Sequence, residues 1–240
     1  MRTSEPMRLS LFIPCFLDQA APRVAEAVVR LLTLLKVAWS YPGDQTCCGQ
    51  FALTGGDQPT ARRLMRHFFR VFGDAPLVLC PSASCTYTVR HHYPRLAETP
   101  GERRAAQRLA ACTFELSEWL AAQGPLPWTP PFCGALVLHR SCKARRLGAL
   151  PGASRLLAQA PELRLLEVSP YFSCCGFGGA FRLLQPDLSR TIGEAYLEAA
   201  AAAGASGLVS LDASCLLHLQ GLTPPTPGFA FHHLAEVLLP

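Results

Sequence analysis

Charged residues are scarce in this chain, since only 16% of its 240 residues are Asp, Glu, Lys or Arg and the formal net charge is +5. The arginines are scattered and form no basic stripe interleaved with aromatic residues, so we expect no nucleic-acid binding. The sequence also lacks a run of about 20 apolar residues, and we predict no membrane span. Half of the residues are nevertheless hydrophobic, which is enough to build packed cores.

Recognisable sets of catalytic groups are missing as well. No Ser/His/Asp combination and no pair of carboxylates is accompanied by a motif that would support it. The glycine-containing loops have neither phosphate-loop nor dinucleotide-binding spacing. We therefore assign no catalytic residue from the sequence.

Cysteine is abundant, with eleven in all, and eight of them form a tandem repeat. In each half, a lone cysteine is followed 32 positions later by Cys-Cys-Gly and then by a fourth cysteine. The copies are offset by 127 residues at the first three cysteines and by 130 at the last. The eight repeated cysteines are Cys15, Cys47, Cys48, Cys85, Cys142, Cys174, Cys175 and Cys215. The repeat predicts two similar lobes, residues 1–124 and 125–240, joined through a proline-rich linker.

The N-terminus has some features of a signal peptide, because an apolar run follows Arg2 and Arg8 and precedes Ala21. Cleavage near Ala21 would remove Cys15 from the repeat, so we predict that this segment is retained and that the chain is cytoplasmic. In a reducing compartment, so many cysteines indicate metal or redox ligands rather than disulfides.

Each half alternates strand-like and helical segments, with three predicted strands and a closing helix. This order predicts an α/β fold of two tandem, pseudo-symmetric Rossmann-like lobes, each with a parallel sheet flanked by helices. The first and last cysteines of each repeat come just after predicted strands, and the Cys-Cys pair follows the middle one. Because the carboxyl ends of parallel strands share one edge of a sheet, we expect four sulfurs to meet there.

The adjacent cysteines help to identify the ligand. Neighbouring side chains of an extended chain point to opposite faces, so a sharp turn is needed, which Gly49 and Gly176 permit. A single tetrahedral zinc favours Cys-x₂₋₄-Cys spacing, which neither quartet has. Four thiolates are the normal ligand count of [4Fe–4S]. We predict that the eight repeated cysteines bind an iron–sulfur cluster, [4Fe–4S], in each lobe. Zinc in one lobe and metal-free thiol chemistry or a vicinal disulfide remain the alternatives.

Four further residues lie outside the repeat, and two of them are candidate additions to these sites. His139 precedes Cys142 by three positions. It is a candidate for a residue that orients a metal ligand without binding the metal itself. Cys80 is near enough in sequence to Cys85 to be an extra ligand, although a buried structural role is the simpler interpretation. Cys112 and Cys133 have no counterparts in the other half, and we interpret both as structural.

The doubled cysteine pattern resembles that of the cysteine-rich "CCG" domain family of iron–sulfur proteins. That family includes the cluster-binding B chain of heterodisulfide reductase and the iron–sulfur subunits of glycolate oxidase and anaerobic glycerol-3-phosphate dehydrogenase. Within it, the chain is most similar to the lactate utilization protein A group, whose members are stand-alone two-repeat proteins of this length. The similarity extends over essentially the whole chain. It is carried by residues 12–15, 47–50, 81–85, 174–179 and 233–236.

The resemblance implies an electron-transfer subunit of a multi-protein system that oxidises L-lactate to pyruvate. Its partners would be a larger iron–sulfur protein and a third subunit, and the chain itself would be a non-catalytic redox component. One alternative is a cluster-based catalytic disulfide reductase similar to the B chain of heterodisulfide reductase. The other is an electron-transfer subunit of a glycolate or glycerol-3-phosphate oxidase.

One departure from the family pattern bears on the type of cluster. Heterodisulfide reductase-type repeats end in Cys-x-x-Cys, and here Ser82 and Asp212 occupy the first position of that pair. The resemblance therefore favours a simpler four-cysteine cluster over a fused five-cysteine one. We expect Ser82 and Asp212 to form hydrogen bonds rather than to ligate metal.

Overall fold

The computed structural model describes residues 9–171, 174–222 and 226–240, which fold into two lobes of the same plan. Arg2 and Arg8, which entered the interpretation of the N-terminal segment, lie outside the described residues. Among the residues described, none of the helices is both long enough and apolar enough to span a lipid bilayer.

The first lobe is built on a four-stranded parallel sheet with the strand order β2-β1-β3-β4. The central strands β1 and β3 are completely buried, as expected for a parallel sheet covered by helices on both faces. The strands are β1 (Leu9–Leu11), β2 (Trp39–Ser40), β3 (Val78–Cys80) and β4 (Thr113–Glu115).

Helices connect these strands and cover the sheet. They are α1 (Cys15–Ala20), α2 (Pro22–Leu34), α3 (Gln50–Thr54), α4 (Gln58–Phe72), α5 (Ala83–Tyr87), a π-helical turn (Thr88–His92), α6 (Tyr93–Leu96), α7 (Pro100–Cys112) and α8 (Leu116–Ala122). In α4, Ala61, Met65, Phe68 and Phe72 recur at helical spacing and form its buried face.

The second lobe repeats this arrangement with the strand order β6-β5-β7-β8, again all parallel. Its strands are β5 (Gly134–Leu138), β6 (Leu163–Leu166), β7 (Gly207–Ser210) and β8 (Ala230–His233). Its helices are α9 (Cys142–Leu147), α10 (Leu150–Leu157), α11 (Phe181–Leu184), α12 (Pro186–Ala202), α13 (Ala213–Gln220) and α14 (Leu234–Val237).

The sheet topology confirms the predicted fold class of two tandem α/β lobes with parallel sheets. The predicted strand number was wrong, because each sheet has a fourth strand, β4 or β8. Both are short and rich in polar residues, so they carry no alternating apolar pattern. Backbone pairing with β3 and β7 makes them strands, and only the folded chain supplies those partners.

The two lobes share one hydrophobic core in addition to a core of their own. The shared core includes Leu31 and Leu120 from the first lobe together with Leu156 and Leu234 from the second. The proline-rich connection is itself packed, since Trp128 donates its indole N–H to the Leu238 carbonyl at 2.8 Å. The lobes therefore form one packed unit rather than two domains on a tether.

A buried carboxylate also joins the lobes. Asp212 follows β7, and its Oδ1 accepts hydrogen bonds from the Ser82 hydroxyl at 3.1 Å and the Ser84 backbone N–H at 2.8 Å. Its Oδ2 accepts from the Ser141 hydroxyl at 2.6 Å. Ser82 and Asp212 thus hydrogen-bond to each other across the lobe interface, which agrees with the role expected from the sequence.

A second buried carboxyl group lies at the end of β4. Glu115 has no solvent exposure, and its Oε2 accepts hydrogen bonds from the backbone N–H and hydroxyl of Ser117. Among the described residues, its Oε1 has no hydrogen-bond partner. Burial raises the pKa of Glu115 to about 8, so the folded chain keeps this carboxyl group protonated at neutral pH.

We predict that Glu115 makes the fold less stable as the pH rises. The unfolded chain releases this proton near the ordinary Glu pKa of 4.5, whereas the folded chain holds it to about pH 8. The free energy of unfolding should therefore fall across that interval, by on the order of 5 kcal/mol from this residue. Glu115→Gln should remove this loss. In urea titrations, the free energy of unfolding of the variant should therefore rise relative to that of the wild type from pH 5 to pH 8. Parallel stability curves would contradict the assignment.

Candidate metal centres

The repeated cysteines lie beyond the carboxyl ends of the strands, as the parallel topology requires. Cys15 and Cys142 are the first residues of α1 and α9, which follow β1 and β5. Cys85 and Cys215 lie in the first turns of α5 and α13, which follow β3 and β7. Ser82 helps to fix one of these positions, because its hydroxyl caps α5 by accepting from the Cys85 N–H at 3.4 Å.

In the first lobe, four sulfurs form one connected set. The Sγ atoms of Cys48 and Cys85 lie 3.1 Å apart, within hydrogen-bond distance. Cys47 accepts hydrogen bonds from the thiols of Cys15 and Cys48, and from the Gly49 backbone N–H at 3.3 Å. These bonds lower the pKa of Cys47 to about 3 and raise the pKa of Cys15 and Cys48. Hydrogen bonding therefore favours the thiolate form of Cys47.

In the second lobe, only three of the four sulfurs are linked. Cys174 donates to Cys175, which in turn donates to Cys215. Cys142 interacts with Cys174 and Cys215 through charge alone. Cys142 and Cys174 are exposed to solvent, whereas their counterparts Cys15 and Cys47 are half-buried. The second group of sulfurs is thus more open than the first.

The glycine after each cysteine pair has the left-handed backbone conformation that the sharp turn requires. The φ angle is +83° at Gly49 and +86° at Gly176. In this turn the Gly49 N–H points at Cys47, while the N–H groups of Gly176 and Phe177 point at Cys174 and Cys175, both at 3.4 Å. The predicted turn is confirmed, and it directs backbone donors as well as two thiols at each site.

A cavity at the first group of sulfurs is closed by the other lobe. Its walls include Cys15, Cys47, Cys48 and Cys85 of the first lobe, and Phe177, Gly179, Ala213 and Ser214 of the second. The rings of Phe16 and Phe177 pack edge to face across the boundary with centroids 5.5 Å apart. The Ala180 N–H donates to the Thr54 hydroxyl at 3.1 Å nearby. The first site is therefore complete only when the two lobes are packed together.

The remaining cysteines are free thiols outside these linked sets. Cys80 is buried in β3 and donates to the Ser82 carbonyl at 3.6 Å, with Cys85 near enough to raise its pKa further above the effect of burial. Cys112 contacts the Ala75 carbonyl at 3.8 Å, and Cys133 is exposed in the connection before β5. The contacts of Cys80 and Cys112 agree with structural roles, whereas the exposure of Cys133 contradicts the buried structural role expected for it.

His139 is closer to the second site than its position in the sequence indicated. One of its ring nitrogens and the sulfurs of Cys175 and Cys215 all lie within 4.8 Å of one another. Burial lowers the pKa of His139 to about 4, so the ring is neutral at pH 7 and carries a nitrogen lone pair. Sequence spacing located His139 near Cys142, but its approach to Cys175 and Cys215 depends on how β5 and β7 lie side by side.

Comparison with known proteins identifies a cysteine-rich family and several relatives of nearly the same length. A profile of the cysteine-rich domain family CCG matches residues 9–90 and 136–220. Lactate utilization protein A 2 of Bacillus cereus strain 03BB102 is 32% identical over 236 residues, covering 97% of this chain and 98% of the relative. Lactate utilization protein A 1 of Bacillus anthracis strain CDC 684 is 31% identical over the same length. Lactate utilization protein A of Macrococcus caseolyticus is 32% identical over 218 residues, covering 90% of this chain and 89% of the relative.

We predict that the two turn glycines differ in their tolerance of a side chain. A Cβ at Gly49 would meet its nearest atom at 3.4 Å, so Gly49→Ala should cost only the backbone strain of about 1–2 kcal/mol. A Cβ at Gly176 would lie 2.2 Å from the Ser189 carbonyl oxygen, so Gly176→Ala should cost about 3 kcal/mol or more.

Urea denaturation of both variants checks this difference. Gly204→Ala is a matched control, because Gly204 has a φ of +82° with open space around its Cβ position. It isolates the strain of a positive φ from any clash. Equal losses for all three variants would mean that the turn at Gly176 is not packed as described.

Proposed function

The chain belongs to the cysteine-rich CCG domain family, and on that premise we propose that it is an iron–sulfur electron-transfer subunit of a system that oxidises L-lactate to pyruvate. The proposed ligands are Cys15, Cys47, Cys48 and Cys85 in the first lobe, and Cys142, Cys174, Cys175 and Cys215 in the second. The observation that carries the proposal is the connected set of four sulfurs in the first lobe. Its donors are all soft thiols, which suit iron–sulfur clusters.

The ligand arrangement supports a cluster of several irons over a single zinc ion. Each site takes two adjacent cysteines and two from separate loops, rather than the Cys-x₂₋₄-Cys pairs of structural zinc sites. A [4Fe–4S] cluster bound there would supply one-electron redox chemistry. The N–H groups of Gly49, Gly176 and Phe177 would donate to sulfur and thereby stabilise negative charge.

The two sites differ in their access to solvent, which supports a role in passing electrons between proteins. Phe16, Phe177 and the lobe interface shield the first group of sulfurs. The exposed Cys142 and Cys174 place the second group at the surface, where another protein could approach. We propose that the partners are a larger iron–sulfur protein and a third subunit, and that the chain is itself a non-catalytic redox component.

The names of the relatives supply the lactate part of the proposal, since they match the chain over nearly its full length. The eleven free cysteines favour a reducing compartment, so we place the protein in the cytoplasm. Ser82 and Asp212 occupy the positions where a fuller repeat has a fifth thiol, and they hydrogen-bond to each other. The absence of that thiol disfavours a disulfide reductase of the heterodisulfide reductase type.

We predict that Cys48→Ser and Cys175→Ser each abolish one of two distinct cluster signals in anaerobic EPR. Each variant loses a buried sulfur of one lobe only, so iron and acid-labile sulfide should each fall by about half. Cys133→Ser is the control, since this exposed cysteine lies outside both groups. A colourless protein that contains zinc without labile sulfide would overturn the cluster assignment, as would unchanged spectra in both variants.

We predict further that deleting the gene abolishes growth of its host on L-lactate as the sole carbon source. Wild-type protein should restore growth, whereas Cys48→Ser should not, because it lacks one sulfur of the first site. Growth on glucose tests for a general defect. Unimpaired growth of the deletion strain on lactate would remove the lactate assignment and leave the cluster proposal to be judged by EPR.

A further inference from the structure

The two lobes differ at one residue beside their sulfur sites. Phe12 and His139 occupy equivalent positions, since each lies three residues before the first repeated cysteine and each donates its backbone N–H to the third strand of its sheet. Phe12 packs its ring on Phe68 and Phe72, with centroids 5.1 and 5.6 Å apart. His139 is equally buried, and one of its two ring nitrogens lies at the second site.

The hydrogen bonding of His139 leaves one of these nitrogens available. Its Nδ1 is 3.1 Å from the hydroxyl of Ser210, which also accepts the Asp212 N–H. In the tautomer that donates its Nδ1–H to Ser210, the lone pair of the ring is on Nε2. Metal-binding histidines are commonly oriented in this way, with the second nitrogen donating to a fixed neighbour.

The other nitrogen, Nε2, is the one that is free to bind a metal. Within the described parts of the chain, Nε2 has no hydrogen-bond partner although the residue has no solvent exposure. Tyr196 packs edge to face on the ring at 5.1 Å and holds its orientation. A buried nitrogen without a partner is unfavourable unless a ligand satisfies it. One ring nitrogen of His139 and the sulfurs of Cys175 and Cys215 all lie within 4.8 Å of one another, which is close enough for all three atoms to bind one metal centre.

We propose that His139 Nε2 is a ligand of the metal centre in the second lobe, so that this centre has nitrogen and sulfur donors while the first has sulfur alone. The inference rests on the proposed function, in that it requires a metal centre in that lobe. Cys142 is the thiol that forms no hydrogen bond with the others. His139 would then take the place that the proposed function gives to Cys142, beside Cys175 and Cys215 and beside Cys174, which donates to Cys175.

The exchange of a thiolate for a neutral imidazole has a direct redox consequence. A neutral ligand leaves the centre with less negative charge, and replacement of cysteine by histidine raises the potential of an iron–sulfur cluster. We therefore expect the second centre to have the higher potential. Electrons would then pass from the shielded first site to the more exposed second one.

Pulsed EPR of the reduced protein tests the ligand. Cys48→Ser removes the first centre, so the remaining signal should show a strong nitrogen hyperfine coupling. That coupling should change when the protein is labelled with histidine that carries ¹⁵N in its ring alone, because this label distinguishes the ring from backbone nitrogens. It should be absent in His139→Ala and present in His218→Ala, which replaces another buried histidine of the same lobe. Labelling of the wild-type protein gives the same test without altering the second lobe.

The outcomes separate this inference from the proposed function. An iron–sulfur signal from the second lobe that lacks a histidine coupling, or a coupling that persists in His139→Ala, would overturn the inference and leave the proposed function intact. Absence of any metal from the second lobe would overturn the inference and, for that lobe, the proposed metal centre as well. Loss of the coupling in both histidine variants would mean that the site is disturbed as a whole, and would also count against the assignment.

Discussion

The molecule depends on the alignment of parallel strand ends. In each lobe the first strand along the chain, β1 or β5, lies between the second and the third. The segments that leave these three strands carry every repeated cysteine. No single segment brings four sulfurs together, since they are separated by as many as 70 residues along the chain in the first lobe. The sheet hydrogen bonds supply the proximity, and the left-handed glycine after each cysteine pair directs the last two thiols inward.

The lobes are repeated in fold but unequal in chemistry. The first group of sulfurs is linked throughout and closed by residues of the second lobe, whereas the second is partly open to solvent and has His139 beside it. Asp212 ties the two together, because it accepts hydrogen bonds from both lobes at the edge of both sites.

Much of the fold could be predicted from the sequence. Apolar runs, helical spacing and the tandem repeat identified two α/β lobes, and the closing helices were anticipated. The strands β4 and β8 were missed, because Glu115 and His233 look like loop or helix residues until their neighbours are known. The cysteine spacing predicted the same four-cysteine site in each lobe, whereas hydrogen bonds link four thiols in the first lobe and three in the second. Their difference arises from burial and from side chains contributed by distant segments.

The sequence by itself determined the repeat, the parallel α/β plan and the eight cysteines that lie at the strand ends. These follow from local patterns, namely apolar runs, turn glycines and residue spacing, which do not depend on the rest of the fold. Only the tertiary structure decided that the second lobe closes the first site, that Asp212 bridges the lobes and that His139 reaches Cys175 and Cys215. Those contacts depend on how the two sheets pack, since each joins residues that are far apart in the chain and that no local pattern relates.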